Sequence, residues 1–361
     1  MCFFSLGTET DGSVIFPADR NGVVGLKPTV GLTSCRGVIP ESESLDTIGV
    51  FGRDVADVAL VLQLISRSKN EANVSPVNEQ QLSSTLLSKS VSNRKVLQGA
   101  RFGLPQKRIW EAARTDSETS TEYDSLLNAI NQIRQAGAEI LENVEIPSWR
   151  EIVSPDGWDW DHEGRLGRAE KSEFTVVETE FYNGIKEYLG SLKQNDQNIN
   201  SLEDIIAYNK NHTDEEGGLP GTHPAWPTGQ DSFDMSAISK GIKDETYFAA
   251  LEFMRRKSRE EGIDSALQHQ GVQLDGLLVP SLADGGAACQ VAAKAGYPMI
   301  TLPIGINNRG VPVGLSIIQT AWREDLLIKF ASGIEDVMSV RPKPRFLNLN
   351  AENYMYVGKR P

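Results

Sequence analysis

Residues 2–17 read Cys-Phe-Phe-Ser-Leu-Gly-Thr-Glu-Thr-Asp-Gly-Ser-Val-Ile-Phe-Pro: an apolar run, a polar turn flanked by glycines, then a second apolar run. The first run reads as a buried strand; it is too short for a signal-peptide core and has no basic flank. Gly7 to Ser13 has the outline of a phosphate loop, but no Lys precedes the Ser, and Glu9 and Asp11 would set negative charge against a phosphate. One hydroxyl, that of Ser13, is left just past a tight turn. Successive backbone N–H groups at such a turn can converge on one point, which is what an oxyanion hole requires. Ser13 is therefore a candidate nucleophile, beside the plainer reading in which Gly and Ser merely make a turn.

Outward from that turn, glycines and prolines recur from Gly7 to Gly52 closely enough to exclude a long helix and to suggest turns and short extended pieces. Asp54 then caps a helix over 55–65 with Val55, Val58, Ala59, Leu62 and Ile65 on one face. Residues 67–95 are polar and weakly patterned, a surface excursion. A strand at 101–104, a helix through Tyr123, Leu126, Leu127, Ile130 and Ile133 that stops at Gly137, and a strand at 139–146 form one unit. Its strands should be parallel with a right-handed crossover. Helices are expected at 173–192, 202–209 and 244–261, with a proline-rich loop at 217–229. The last third predicts a strand at 277–279, a small-residue helix over 287–295 closed by Gly296, a hairpin of strands 299–302 and 313–318 around Asn307–Gly310, and a helix over 325–338. Residues 340–361 read as a tail. The pattern predicts one α/β domain over 1–361: a mixed twisted β-sheet with helices on both faces.

The 361 residues hold 36 Lys+Arg against 49 Asp+Glu, a net charge of −13, and this acidity argues against a nucleic-acid partner. No apolar run approaches the roughly 20 residues that span a bilayer, so no membrane is expected. Cys2, Cys35 and Cys289 form no disulfide framework, which suggests a reducing, cytoplasmic setting.

Common catalytic signatures are missing: there is no HExxH, no EF-hand loop and no GxSxG elbow. A nucleophilic Ser needs a base, yet His162, His212, His223 and His269 all lie in polar, loop-like surroundings that read as surface. A Ser–Lys pair is the alternative. Asp159 to Glu163 fits no compact donor set, so no metal is expected. Cys35 and Cys289 read as small packed side chains, Trp158, Trp160 and Trp226 as loop aromatics that cover the core or line an entrance, and the acidic run at 213–216 as a solvated face.

Several blocks carry a resemblance. Gly7-Thr-Glu-Thr-Asp-Gly-Ser13, Gly22-Val-Val-Gly-Leu-Lys-Pro-Thr29, Gly31-Leu-Thr-Ser34, Gly37-Val-Ile-Pro40 and Asp46-Thr-Ile-Gly49 are similar to the amidase signature family, in particular its fungal, plant and bacterial general amidases. The resemblance continues through Ser201–Asn209, Arg259–Asp264, Ala295–Pro298, Thr301–Pro303, Gly310–Leu315 and Ala321-Trp322.

The resemblance implies the amidase signature fold and hydrolysis of a non-peptide carboxamide C–N bond through a Ser acyl-enzyme, with a small-molecule amide as substrate and no cofactor. The nucleophile's position falls on Ser13, and the backbone oxyanion donors on Thr10, Asp11, Gly12 and Ser13. Asp11 and Ile15 stand where many members have Gly and Arg. The family also uses a Ser in a cis peptide and a Lys, both upstream of the nucleophile. No residue here matches either, so neither role is transferred, and Lys27 reads as structural. The expectation is an N-terminally truncated amidase with impaired activity. The alternative is an inactive remnant that acts as a binding or assembly partner; a homo-oligomer is compatible with both.

Overall fold

A computed structural model describes residues 2–66, 93–116, 120–152, 168–195 and 197–338. Most of the expected excursion at 67–95, the tail at 340–361, and the cluster from Trp158 to Glu163 lie outside the described residues.

The strands are β1 (Phe4–Glu9), β2 (Val24–Lys27), β3 (Thr47–Gly52), β4 (Arg101–Pro105), β5 (Glu139–Val144), β6 (Gln268–His269), β7 (Val272–Gln273), β8 (Gly276–Pro280), β9 (Met299–Ile306) and β10 (Pro312–Ile318). Eight of them build one sheet in the order β1-β3-β2-β9-β10-β8-β4-β5, and β6 pairs with β7 in a small ribbon. β4 runs parallel to β5 and to β8, and every other pairing in the large sheet is antiparallel. The mixed sheet read from the sequence is therefore present. Its centre follows from composition: β2 and β8 are buried along their whole length, as expected of strands covered on both faces. Asn307 shapes the β9–β10 turn, its Oδ1 accepting the N–H groups of Arg309 and Val311, both at 3.0 Å.

The helices that matter for the site are α1 (Ile15–Asn21), α2 (Val55–Ile65), α3 (Tyr123–Gln135), α4 (Glu173–Ser191), α5 (Leu202–Asn211), α6 (Glu245–Ser258), α7 (Ala283–Ala295) and α8 (Glu324–Met338). Asp54 caps α2 as expected, accepting from the Asp57 N–H at 2.8 Å. β2 and β3 show which faces α1 and α2 cover. Val24 pairs with Gly52, and Gly25 with Phe51. A Cβ on Gly52 would meet Val58 of α2 at 2.7 Å, and one on Gly25 would meet Ala18 of α1 at 2.4 Å. Adjacent residues of a strand point to opposite faces, so α1 and α2 lie on opposite sides of the sheet. Only a residue without a side chain at position 25 lets α1 approach this closely. On the α2 side, Phe102 of β4 meets Phe330 of α8 edge-to-face, with ring centroids 5.2 Å apart, a contact worth about 0.5–1.5 kcal/mol beyond burial.

Two expectations are corrected. The opening strand is not buried: among the described residues β1 ends the sheet and pairs with β3 alone, and Phe3, Phe4 and Leu6 are 70%, 50% and 48% exposed. The run after Ser13 is not extended either. It forms α1, whose Pro17 falls in the first turn, where a missing N–H costs no intrahelical hydrogen bond. Among the described residues no helix is long and apolar enough to cross a membrane.

Candidate active site

The turn from Thr10 to Ser13 joins β1 to α1. Gly12 has φ +85°, a left-handed conformation that glycine adopts without strain. Ser13 is exposed at the mouth of the turn, and its hydroxyl makes no hydrogen bond to a described residue. Val14, the residue before α1, offers no side-chain cap. The cap comes instead from Glu9: its Oε2 accepts the N–H of Val14 at 2.7 Å and of Ile15 at 2.9 Å. The Gly12 N–H also points to this carboxylate. Of the four expected oxyanion donors, Gly12 is thus directed inward, whereas the N–H groups of Asp11 and Ser13 donate to no described residue. Thr10 is buried, and its Oγ1 lies 2.7 Å from Asp46 Oδ1 and 3.0 Å from Glu41 Oε2.

Beneath the turn is a concentration of buried charge. Glu9 and Lys27 are fully buried, and Lys27 Nζ donates to the Tyr297 carbonyl at 2.9 Å. Burial pushes the Glu9 carboxyl up, against the pull of Lys27 and the backbone donors, and pushes the Lys27 ammonium down. Asp11 is half-buried; burial, then the nearby Glu173, push its carboxyl up to about 8, against the attraction of Lys294. Glu173 of α4 and Lys294 of α7 form a buried ion pair at 3.3 Å, and Lys294 Nζ also donates to the Ile152 carbonyl at 3.1 Å. Glu324, at the start of α8, accepts the Thr29 N–H at 2.7 Å. Cys289 of α7 is buried, which raises its thiol well above the ordinary range.

The histidines stand apart from this arrangement. His212 follows α5 with Nδ1 2.9 Å from the Tyr208 carbonyl, His223 lies in the loop at 217–229, and His269 lies in β6. None of the three is hydrogen-bonded to Ser13, and His162 lies outside the described residues. No group of three or more His, Cys, Asp or Glu side chains could hold a metal ion among the described residues.

Sequence reasoning singled out Ser13 and its turn but gave no role to Glu9, Glu41, Glu173 or Lys294. Glu9 was legible only as an acidic residue in a phosphate-like loop. The Glu173–Lys294 pair spans more than a hundred residues and left no local signal. Asp46 was visible inside a family block, without a partner.

The sheet order, with a serine turn set between its edge strand and a short helix, defines a mixed-sheet α/β protein. A family model described as Amidase matches residues 1–168. An amidase-named protein of Schizosaccharomyces pombe is 46% identical over 366 residues, covering 98% of this chain and 59% of that protein. Another amidase-named protein, from Arabidopsis thaliana, is 30% identical over 351 residues, covering 95% of this chain and 58% of that protein. Among solved structures, the peptide amidase of Stenotrophomonas maltophilia superposes with a TM-score of 0.74 at 33% identity, covering 96% of this chain and 64% of that one. The chain belongs to the amidase signature family. It spans about three fifths of the length of these relatives.

Proposed function

We propose that the chain contributes the nucleophile of a carboxamide hydrolase, with Ser13 as acyl acceptor. The observation that carries this reading is the exposed Ser13 hydroxyl on a turn whose neighbouring Asp11 and Ser13 N–H groups are open to an acceptor. Ser13 Oγ forms a bond to the amide carbonyl carbon, and the charge that develops on the carbonyl oxygen is held by those N–H groups. The C–N bond then breaks, and the hydroxyl proton leaves with the departing amine or ammonia. Water hydrolyses the acyl-Ser13 ester and restores the hydroxyl. The peptide amidase and the other amidase relatives support a small amide as substrate. Ser13 Oγ has no hydrogen-bonded base among the described residues, and a serine without a base acylates slowly; weak turnover is part of the proposal.

The test is intact-mass analysis after exposure to an activated aryl ester. A single acyl adduct that maps to Ser13 and vanishes in Ser13→Ala is expected. An unmodified chain, or an adduct that persists in Ser13→Ala, overturns the reading. One observation favours the second reading, a binding or assembly partner: the exposed Phe3, Phe4 and Leu6 on the edge strand. That reading requires self-association or partner capture that weakens when these residues are made polar, in a chain that takes up no acyl group.

A further inference from the structure

The Thr10 hydroxyl has more acceptors than it can serve. It carries one hydrogen, yet two carboxyl oxygens stand within hydrogen-bond distance, Asp46 Oδ1 at 2.7 Å and Glu41 Oε2 at 3.0 Å. If both groups were ionised, one oxygen would face the lone pairs of the hydroxyl. A second hydrogen is needed, and the surroundings of Asp46 decide where it sits. Asp46 Oδ2 accepts the N–H of Glu41 at 2.8 Å and of Ser42 at 3.0 Å. Two donors aimed at one carboxylate favour its charged form. Glu41 receives no such donors from the described backbone.

We propose that Glu41 holds the second hydrogen as a neutral acid and donates it from Oε2 to Thr10 Oγ1, while Thr10 donates to Asp46, which makes Glu41 a positioning residue for the turn that presents Ser13. The positioning role rests on the reading of Ser13 as nucleophile; the place of the proton does not.

The charges facing this group agree with that assignment. Glu41 faces Asp46 and Glu173, and Asp46 faces Glu41 and Glu180; these neighbours are acidic, while Lys294 is paired with Glu173 and Arg255 reaches the loop only at Ser44 Oγ, 3.4 Å from its Nη2. Burial above all holds both the Glu41 and Asp46 carboxyls above the usual range. The loop cannot easily swing away to relieve the crowding. Glu180 accepts from Ser42 Oγ at 2.5 Å, Ser44 Oγ at 2.7 Å, the Ser44 N–H at 2.9 Å and Tyr247 OH at 2.7 Å. Leu45 is buried with Val176, Tyr247 and Met254. Loss of the Glu41 proton therefore acts on Thr10. Because the folded carboxyl is raised, this contribution to stability is complete below the ordinary glutamate range and is lost as pH rises through the raised midpoint.

The experiment compares melting temperature from pH 4 to pH 8 for the full chain, Glu41→Gln and Asp46→Asn, alongside Ser13 acylation by the aryl ester. Glu41→Gln keeps a donor to Thr10 and cannot ionise, so its melting temperature should gain on the wild type as pH rises. Asp46→Asn turns an amide donor toward the Glu41 and Ser42 N–H groups or removes the charge they bind, and should melt lower at every pH. A Glu41→Gln profile parallel to the wild type, or an Asp46→Asn variant that behaves as Glu41→Gln should, overturns the proton assignment. If Asp46→Asn does not fold, the Glu41→Gln comparison alone decides. Wild-type acylation is expected to fall off as pH rises through the Glu41 midpoint, and Glu41→Gln is expected to lose that fall; a wild type without it, or a variant that keeps it unchanged, overturns the positioning role. Absence of acylation in the wild type sinks the nucleophile reading and the positioning role with it, while the melting curves still decide where the proton sits.

Discussion

Glu9 Oε2 lies 2.7 Å from the Val14 nitrogen, so the strand that leads into the Ser13 turn also closes it. This carboxylate replaces the Ser, Thr, Asp or Asn that ordinarily caps a helix. Glu9→Ala would leave buried N–H groups without an acceptor and take a negative neighbour from Lys27. We expect a loss of about 3 kcal/mol or more, read as a lowered denaturant midpoint. Glu9→Gln keeps one acceptor oxygen and should fall between Glu9→Ala and the wild type.

Phe16 of α1 wedges between the Gly12–Ser13 turn and α7. A Cβ on Gly286 would stand 2.0 Å from Phe16 Cζ, and Gly286 has φ +86°. Gly286→Ala should therefore cost about 2–4 kcal/mol from overpacking and a strained backbone. Phe16→Leu in the same chain should recover part of that loss, and a thermal-melt double-mutant cycle measures the coupling. Additive effects of the two substitutions would contradict the contact.

Much of this architecture is legible in residue order. The helix over Val55–Ile65 matches its expected span, and the β9–β10 hairpin turns on the Asn307–Gly310 loop read from the sequence. Helical periodicity and turn chemistry act over a few residues, and both survive tertiary context. α1 was missed because closely spaced glycines and Pro17 argue against a helix, while its cap is a carboxylate five residues away along the chain. Ser13 and its glycine turn were legible through a compact motif. Lys27, Glu173 and Lys294 were not legible as buried, because a charged side chain reads as surface until its partner is known. Glu173 and Lys294 come together only when α4 and α7 pack.

Asp19 should give the protein a pH-dependent stability of its own. It lies on the buried face of α1, where a Cβ on Gly314 would stand 2.9 Å from its Oδ1. Burial, then Glu122, push its carboxyl from 3.8 to about 7, against the pull of Arg20. The folded state therefore holds this proton more tightly than the unfolded chain. The contribution is complete below pH 3.8 and declines as pH rises through about 7, at about 1.4 kcal/mol per pH unit within that window. Asp19→Asn should flatten that part of the melting profile; an unaltered slope would refute the assignment.

The Glu173–Lys294 pair should be far more costly to break than to replace. Lys294→Met strands a buried carboxylate, with an expected loss of about 3–5 kcal/mol. The double variant Glu173→Leu with Lys294→Met removes both charges and should regain most of that stability. Chemical denaturation of the three chains checks the order. A double variant no more stable than Lys294→Met would show that the pair does more than neutralise itself.

The register between β2 and β9 has a consequence for how the chain acquires its structure. Gly25 pairs with Thr301 and Leu26 with Ile300, so the middle of the sheet waits for residues synthesised some 275 positions later. Such distant pairing slows folding, because loop closure must precede the contacts that reward it. During synthesis, β2 would stay without this neighbour until the residues of β9 have been made. Throughout that interval the inner edge of β2 keeps its backbone N–H and C=O groups unpaired with β9.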